Sequence, residues 1–234
     1  PVEAMVVMEE LGRGIVLEPL AQTLIASAVL QTHAPAALQS SWLPRIAGGE
    51  AIVVLAHQER GARHHLNRCQ AEARETGGQW TVSGTKSIVP VGDQADAFIV
   101  PAMAGSQMAL FLVARGAAGI QTGGYLTQDG ARAAEVSFAN SPAQLITTNG
   151  QTALEEAADI GSACVCAEGV GVMDKTLAIT AEYMNTRKQF NVPIATFQAL
   201  RHRVADMKMQ LELARSMSYY ASLKLKAPEA ERRQ

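Results

Sequence analysis

The 234-residue chain has almost no excess of charge: 20 lysines and arginines stand against 22 aspartates and glutamates, a formal net charge of -2. So even a balance gives no electrostatic reason to expect nucleic acid or an anionic membrane as a partner. No apolar run approaches the roughly 20 residues that a helix needs to cross a bilayer, and no basic, apolar, cleavable leader is visible at the N-terminus. A cytoplasmic protein is the default expectation. Cysteine is scarce, with three in the chain. Cys164 and Cys166 are two apart on an expected helix, which turns their side chains to different sides and leaves no local disulfide or metal clip; Cys69 stands alone. Internal repeats and low-complexity segments are also missing, and only the closing APEAERRQ reads as a polar tail or linker. With 48% hydrophobic residues, what is left is enough apolar side chain for one or two globular domains.

Two periodicities divide what is present. The opening MVVMEELGRG has helical spacing through Met5, Met8 and Leu11 and is expected to stop at Gly12 and Gly14. The pattern is already under way at Pro1, which implies a preceding part. Pro19 to about Leu30 and Ala36 to Ile46 read as two further helices. From Ala51 to about Ser141 the period changes. Short apolar runs at 51–56, 79–84, 85–91, 96–102, 107–114 and 131–139 are separated by Gly, Asp, Pro or Gln. They indicate an antiparallel β domain, with Pro90 and Pro101 at edges or bulges and Trp80 and Val82 sharing a core face.

Helical spacing then returns. Thr152 and Glu155 have capping-box spacing, and Ile160, Ala163, Ala167, Val170, Leu177, Ala181 and Met184 fall mainly on one side of a helix reaching about residue 186. Gly161, Gly169 and Gly171 weaken it by roughly 1 kcal/mol each relative to Ala, as suits a site where another backbone approaches closely. Asn191 and Pro193 end this helix, and Thr196 is placed to cap the next. In that next helix Phe197, Leu200, Val204, Met207, Leu211, Ala214, Ala221 and Leu225, interrupted by Ser218, predict one long buried face.

The connection between these helices, Arg-x-Gln-Phe-x-x-Pro-Ile-x-x-Phe-Gln from Arg187 to Gln198, is followed by His-x-x-Ala-Asp-Met. It resembles the start of the C-terminal helical domain of acyl-CoA dehydrogenases. The resemblance covers nearly the whole chain: EELGR, LP-x-IA-x-GE at Leu43 to Glu50, W-x-x-x-G-x-K at Trp80 to Lys86, Ala95-Asp96, and DG-x-RAAEVSF at Asp129 to Phe138. It implies an α+β fold with N-terminal helices (the end of a helical domain, 1–50), a middle antiparallel β domain (51–145) and a partial C-terminal helical bundle (its first two long helices, 150–234). It implies FAD as cofactor, an acyl-CoA as substrate and trans-2-enoyl-CoA as product. An electron-transfer flavoprotein would take the electrons, and a homo- or hetero-oligomer, a dimer or dimer of dimers, would hold flavin at its interface. The DG-x-RAAEVSF run is most like branches handling dicarboxylyl or steroid side-chain CoA thioesters, often built as pairs of unlike subunits.

In that family the arginine and phenylalanine of the connector reach across the dimer to the neighbour's FAD. The resemblance implies those roles for Arg187 and Phe190, with Gln189 and Gln198 nearby. A guanidinium suits phosphate because it bonds two oxygens at once, although the same cation can satisfy carbonyls at a helix C-terminus, and an aromatic beside a loop can simply pack. The stretch Leu55 to Leu66 occupies the place of a strand-to-loop turn that holds the flavin ring. Glu59 and Gly61 match its Thr-Glu-Pro-Gly type pattern, while Gln58 replaces the hydroxyl and can bond through its amide. The family's Trp-x-Thr beside the flavin falls on Ile88 and Pro90, and Pro90 has neither a hydroxyl nor a backbone N–H to offer. Arg60, Arg63 and Arg68 either meet CoA phosphates or form a solvated basic loop. His57, His64 and His65 read as pocket-rim or surface histidines titrating near neutral pH, with no ligand set for a metal.

The catalytic residue is unidentified. The family takes its base from a loop beyond the end of this chain. In an alternative branch the base comes from the first long helix, where matching places Gly161, which cannot act as one. Glu155, Glu156 and Asp159 suit the positive end of a helix dipole. A non-catalytic partner subunit of a heteromeric dehydrogenase is therefore the alternative, motivated by Gln58, Pro90 and the lack of a helix-borne base.

Overall fold

Two stretches, AFIVPAMA and QMALFLVA, are apolar at almost every position, a pattern for strands covered on both faces. In the computed structural model, which describes residues 2–62 and 64–232, they form β4 (Ala97–Ala104) and β5 (Gln107–Ala114). The two are antiparallel, from Ala97 opposite Ala114 to Ala104 opposite Gln107. Phe98, Val100, Ala102, Ala109, Phe111 and Val113 enter one core, and Ala97, Ile99, Leu110 and Leu112 enter another.

The first core fills a closed ring. β4 pairs with β2 (Glu72–Thr76), β2 with β3 (Gln79–Pro90), β3 with β7 (Arg132–Thr147), β7 with β5, and β5 again with β4. β1 (Val53–Leu55) lies beside β4, and β6 (Ile120–Leu126) lies beside β7. Val82 is fully buried here and Trp80 packs against it, its ring 5.1 Å from that of Phe111. The second core joins the outer faces of β1, β4 and β5 to α2 (Leu20–His33), α3 (Ala36–Ala47) and the first turns of α4 (Gly150–Thr186). Leu30, Leu38, Trp42 and Ala153 carry it.

The domain is not purely antiparallel. β4 runs parallel to both β1 and β2, because β3 carries the chain back between β2 and β4 and so returns it in the same direction. The runs at 79–84 and 85–91 are one strand, bulged between Val82 and Gly84 and again between Lys86 and Val89. Pro90 closes that strand just beyond the second bulge. Pro101 sits in the middle of β4, where pairing to β1 has ended at Ile99 and pairing to β2 begins at Met103. Its missing N–H thus falls in the gap between two partners.

By compactness the chain divides into residues 19–161 and a second unit of residues 1–18 with 162–234. The second unit is helical: α1 (Val2–Gly14), the rest of α4, a two-stranded hairpin of β8 (Lys188–Gln189) and β9 (Val192–Pro193), α5 (Gln198–Lys224) and the short α6 (Glu229–Arg232). Gly12 does not stop α1 but lies within it, at a crossing with α4. A Cβ on Gly12 would sit 2.0 Å from the Glu168 carbonyl oxygen, and one on Gly171 would sit 1.9 Å from that of Glu9. Only a residue without a Cβ lets the two backbones approach this closely. Gly169, by contrast, has nothing within reach. Arg13 pairs with Asp174, and the Arg215 Nε donates to Glu9 at 3.2 Å, tying α1, α4 and α5.

The long face of α5 is the expected one but is less deeply covered. Leu211 is buried, Val204 and Leu225 are half-buried, and Met207 is 39% exposed. Ser218 continues that buried face instead of interrupting it. Neither expected cap forms: α4 begins two residues before Thr152, and Phe197 takes the N-cap of α5 while the Thr196 hydroxyl donates to the Pro193 carbonyl. No described helix is long and apolar enough to cross a membrane.

Candidate functional site

Between β1 and β2 the chain makes a long irregular loop, residues 56–71, and one carboxylate holds it down. Glu59 is buried and accepts from the backbone N–H of Gln70 at 2.7 Å, from that of Ala71 at 3.1 Å and from the Lys86 ammonium at 2.7 Å. Lys86, midway along β3, has no exposed side-chain surface at all. One residue on, the Ser87 N–H donates to the Gln58 carbonyl at 2.8 Å. A buried ion pair and an adjacent backbone bond therefore clamp residues 58–59 to 86–87.

The clamp forms one wall of a pocket of about 450 Å³ lined by Gln58, Glu59, Arg60, His64, Ser87, Ile88 and Glu135. Glu135 reaches it because Ala134 and Val136, its neighbours on β7, turn into the ring core. The Ser87 hydroxyl donates to the Glu135 carboxylate at 3.1 Å, and the Arg60 Nε lies 3.6 Å from the same carboxylate. Ile88 is 54% exposed with φ 50°, and Val91 follows with φ 53°. Two β-branched residues in the left-handed region are strained, and such strain gathers where surrounding structure imposes it, often at ligand sites.

Burial alone would push the Glu59 carboxyl up, but the bond and charge of Lys86 together with the two amides outweigh it and hold the carboxyl below its usual value. His57 goes the other way: burial, reinforced by the Lys86 charge, lowers it to about 4. It is thus neutral near pH 7 and does not titrate there as the loop's composition implied. His64 lines the pocket and His65 is exposed. Cys69 lies 3.7 Å from Lys86, and burial pushes its thiol up, away from reactive thiolate. Among the described residues no three His, Cys, Asp or Glu side chains are grouped to hold a metal ion.

Gln58 and Ile88 line this pocket. Leu55 ends β1 with its side chain against the helix-facing core, and Pro90 ends β3 without entering the pocket wall. Arg60 and Arg68 are exposed, and Arg63 lies outside the described residues. Ser87 and Glu135 were not singled out from the sequence. Their signal was the alternation in RAAEVSF, which sets Ala134, Val136 and Phe138 inward and Glu135 outward.

The second cluster belongs to the helical unit and lies on the α4–α5 connector. Phe190 and Asn191 have φ 52° and 65° and form the two-residue turn of the β8–β9 hairpin, the geometry of a type I′ turn. Phe190 is 89% exposed, with its ring edge-on to Phe197 at 6.1 Å. Arg187, Gln189 and Gln198 are exposed on the same connector, and the Ile194 N–H donates to the Arg187 carbonyl at 2.8 Å. Among the described residues the Arg187 guanidinium makes no ion pair and bonds no helix carbonyl, so it is not spent on the end of α4.

Tested against FAD, the two clusters differ. An exposed guanidinium and a solvent-facing aromatic on one short connector fit a pyrophosphate with its adjoining apolar base, and the Gln58 amide, uncommitted among the described residues, can meet a flavin edge. At Pro90 the donor is lacking. The helix offers no carboxylate at Gly161, where a Cβ would already stand 3.2 Å from Ile25 Cδ1. Glu156, upstream on α4, is paired with His33 at 2.8 Å.

Residues 148–234 match the model of the acyl-CoA dehydrogenase C-terminal domain. Over 220 residues the chain is 30% identical to the acyl-CoA dehydrogenase FadE27 of Mycobacterium tuberculosis, covering 87% of this chain and 54% of that protein. Among solved structures it is similar to a variant of the steroid ACAD Tcur3481-Tcur3483 (30% identity, TM-score 0.85, 94% of this chain and 60% of that one). It is also similar to the ChsE4-ChsE5 complex from Mycobacterium tuberculosis (26% identity, TM-score 0.85, 97% and 62%). The chain thus spans a little over half the length of these proteins.

Proposed function

Because this chain belongs to the acyl-CoA dehydrogenase family, we propose that it serves the FAD-dependent α,β-dehydrogenation of an acyl-CoA thioester to trans-2-enoyl-CoA. The proposal includes an oligomer that passes electrons to an electron-transfer flavoprotein, a cytoplasmic location and the division into 1–50, 51–145 and 150–234. It also includes a substrate of the steroid side-chain or dicarboxylyl class, in keeping with the name of one structural relative. The observation that carries the reading is Phe190, an aromatic ring 89% exposed on a turn that costs a non-glycine residue strain. An apolar ring so displayed, on the same short connector as an exposed Arg187 that makes no ion pair among the described residues, is explained by something that covers both.

The chain's own residues divide the work. Arg187 would grip the cofactor's pyrophosphate through paired N–H donors, Phe190 would cover its adenosine portion, and Gln189 and Gln198 would add polar contacts from the same connector. Gln58 and Ile88 would border the flavin ring, the first as donor and acceptor and the second as an apolar wall, with the backbone at Leu55 and Pro90 flanking them. FAD when bound supplies the acceptor for the substrate's β hydrogen. Proton removal at the α carbon needs a carboxylate, and none is assigned here.

A second reading, a partner subunit without flavin of its own, is favoured by Pro90. The visible spectrum of the purified protein, alone and with excess FAD, tests both. A flavin band that bleaches with an acyl-CoA supports the enzyme, and Arg187→Ala should weaken FAD binding by roughly tenfold or more, the worth of a charge-assisted bond. No band under either condition sinks the enzyme reading. If a co-expressed complex then loses flavin on Arg187→Ala, the partner-subunit reading stands.

A further inference from the structure

We infer that Arg60 is the exchangeable anion ligand of the 450 Å³ pocket, held at rest by Glu135 and released to a phosphate-bearing ligand. The guanidinium lies at 3.6 Å from the Glu135 carboxylate, beyond hydrogen-bond reach, and its side chain is 83% exposed. A solvated pair of this kind is weakly held. Glu135, in contrast, does not depend on Arg60, because the Ser87 hydroxyl donates to it at 3.1 Å and stays when the arginine leaves. Lys86, behind the wall, is already engaged by Glu59 at 2.7 Å and fully buried. Among the described residues lining this pocket, Arg60 is therefore the arginine that can turn to an incoming anion, and the planar fork of its N–H groups matches two phosphate oxygens at once. Glu135 becomes its competitor: the carboxylate stores the guanidinium at the pocket mouth and opposes, by its own charge, any anion that enters.

The two residues should act in opposite directions. This deepens the proposed function, on which it rests for the identity of the ligand, since FAD and coenzyme A both carry a pyrophosphate. Calorimetric titration of the purified protein and of Arg60→Ala and Glu135→Gln, with sodium pyrophosphate, coenzyme A and FAD in turn at low and high ionic strength, separates the possibilities. Arg60→Ala should weaken binding about tenfold. Glu135→Gln, which keeps the Ser87 bond, should tighten it by up to roughly fivefold, with both effects shrinking in high salt. The organic probe that feels the two substitutions identifies the source of the phosphate. Pyrophosphate or coenzyme A binding that depends on Arg60, in a protein that takes no FAD, keeps this inference and removes the flavin reading. FAD binding indifferent to Arg60 does the reverse. Weaker or unchanged binding in Glu135→Gln, or no binding of any probe to the parent protein, overturns the inference.

Discussion

Replacing Lys86 by methionine keeps most of the buried stem and removes the charge that balances Glu59. The two side chains are 0% and 4% exposed, so water cannot take over from the ammonium. Glu59 retains the Gln70 and Ala71 N–H groups. Those two bonds place the loss at the low end of the range for breaking a buried pair, about 3 kcal/mol. For a chain of this size each kcal/mol moves the thermal midpoint by roughly 2–4 °C, so Lys86→Met should unfold about 6–12 °C lower. The pH dependence has a definite sign. In the parent protein the carboxyl is held below its ordinary 4.5, so its contribution is complete above that value and is lost as pH falls through the lower, folded one. In Lys86→Met the same carboxyl, buried without its partner, can escape its cost by taking a proton. The gap between the two proteins should therefore be widest near pH 7 and close as the solution is made acid. Lys86→Met combined with Glu59→Leu, which buries two apolar side chains in place of the ions, should recover most of the stability. Urea unfolding followed by circular dichroism at pH 7 and pH 4.5 measures all of this. A single variant within about 1 kcal/mol of the parent, or a gap that widens in acid, would refute the reasoning.

His57 should make the protein acid-sensitive in a higher window. Unfolded, its imidazole takes a proton near 6.5, but folded only near 4. Stability is thus complete above pH 6.5 and falls as pH drops through that interval, by about 3 kcal/mol at its lower end. His57→Gln should flatten the urea midpoint between pH 7 and pH 5, and an unchanged slope would count against the burial argument. The glycines of α4 should part company. Gly171→Ala drives a methyl into the Glu9 carbonyl of α1, 1.9 Å away, and should cost roughly 1–3 kcal/mol. Gly169→Ala meets nothing and should gain up to about 1 kcal/mol in helix propensity. Thermal midpoints shifting the same way in both would contradict the helix crossing.

How far the fold was legible depended on how strongly each element is buried. β4 and β5, covered on both faces, announce themselves as unbroken apolar runs, and α2 and α3 were placed within about three residues of their ends. β2 was not seen because four of the five residues in Glu-Ala-Arg-Glu-Thr are exposed, leaving Ala73 alone to mark a core face. β6, with Gly123 and Gly124 and mostly exposed, gave no alternation either. Closure of the ring was out of reach for a different reason. It rests on β5 meeting β7 and β2 meeting β4, pairings between segments far apart in the chain that local pattern does not encode.

The same contrast separates the two clusters of candidate residues. The connector's geometry is set within a dozen residues: α4 ends at Thr186, Phe190 and Asn191 take positive φ, and the two-residue turn they form between β8 and β9 leaves Phe190 exposed. A local motif therefore gave a usable expectation. The pocket instead joins the loop after β1 to β3 and β7, with Glu59 and Lys86 27 residues apart and Ser87 and Glu135 48 apart. Glu59 lies in the Gln58–Gly61 turn and Lys86 ends the W-x-x-x-G-x-K run, yet nothing in either segment shows that they neutralise one another. Nor does it show that their pairing buries enough of the loop to silence His57. Charge at this site is a property of the folded ring. That is why Gln58 and Ile88 were legible as positions, while the balance of Arg60 against Glu135 emerged only once β7 was laid beside β3.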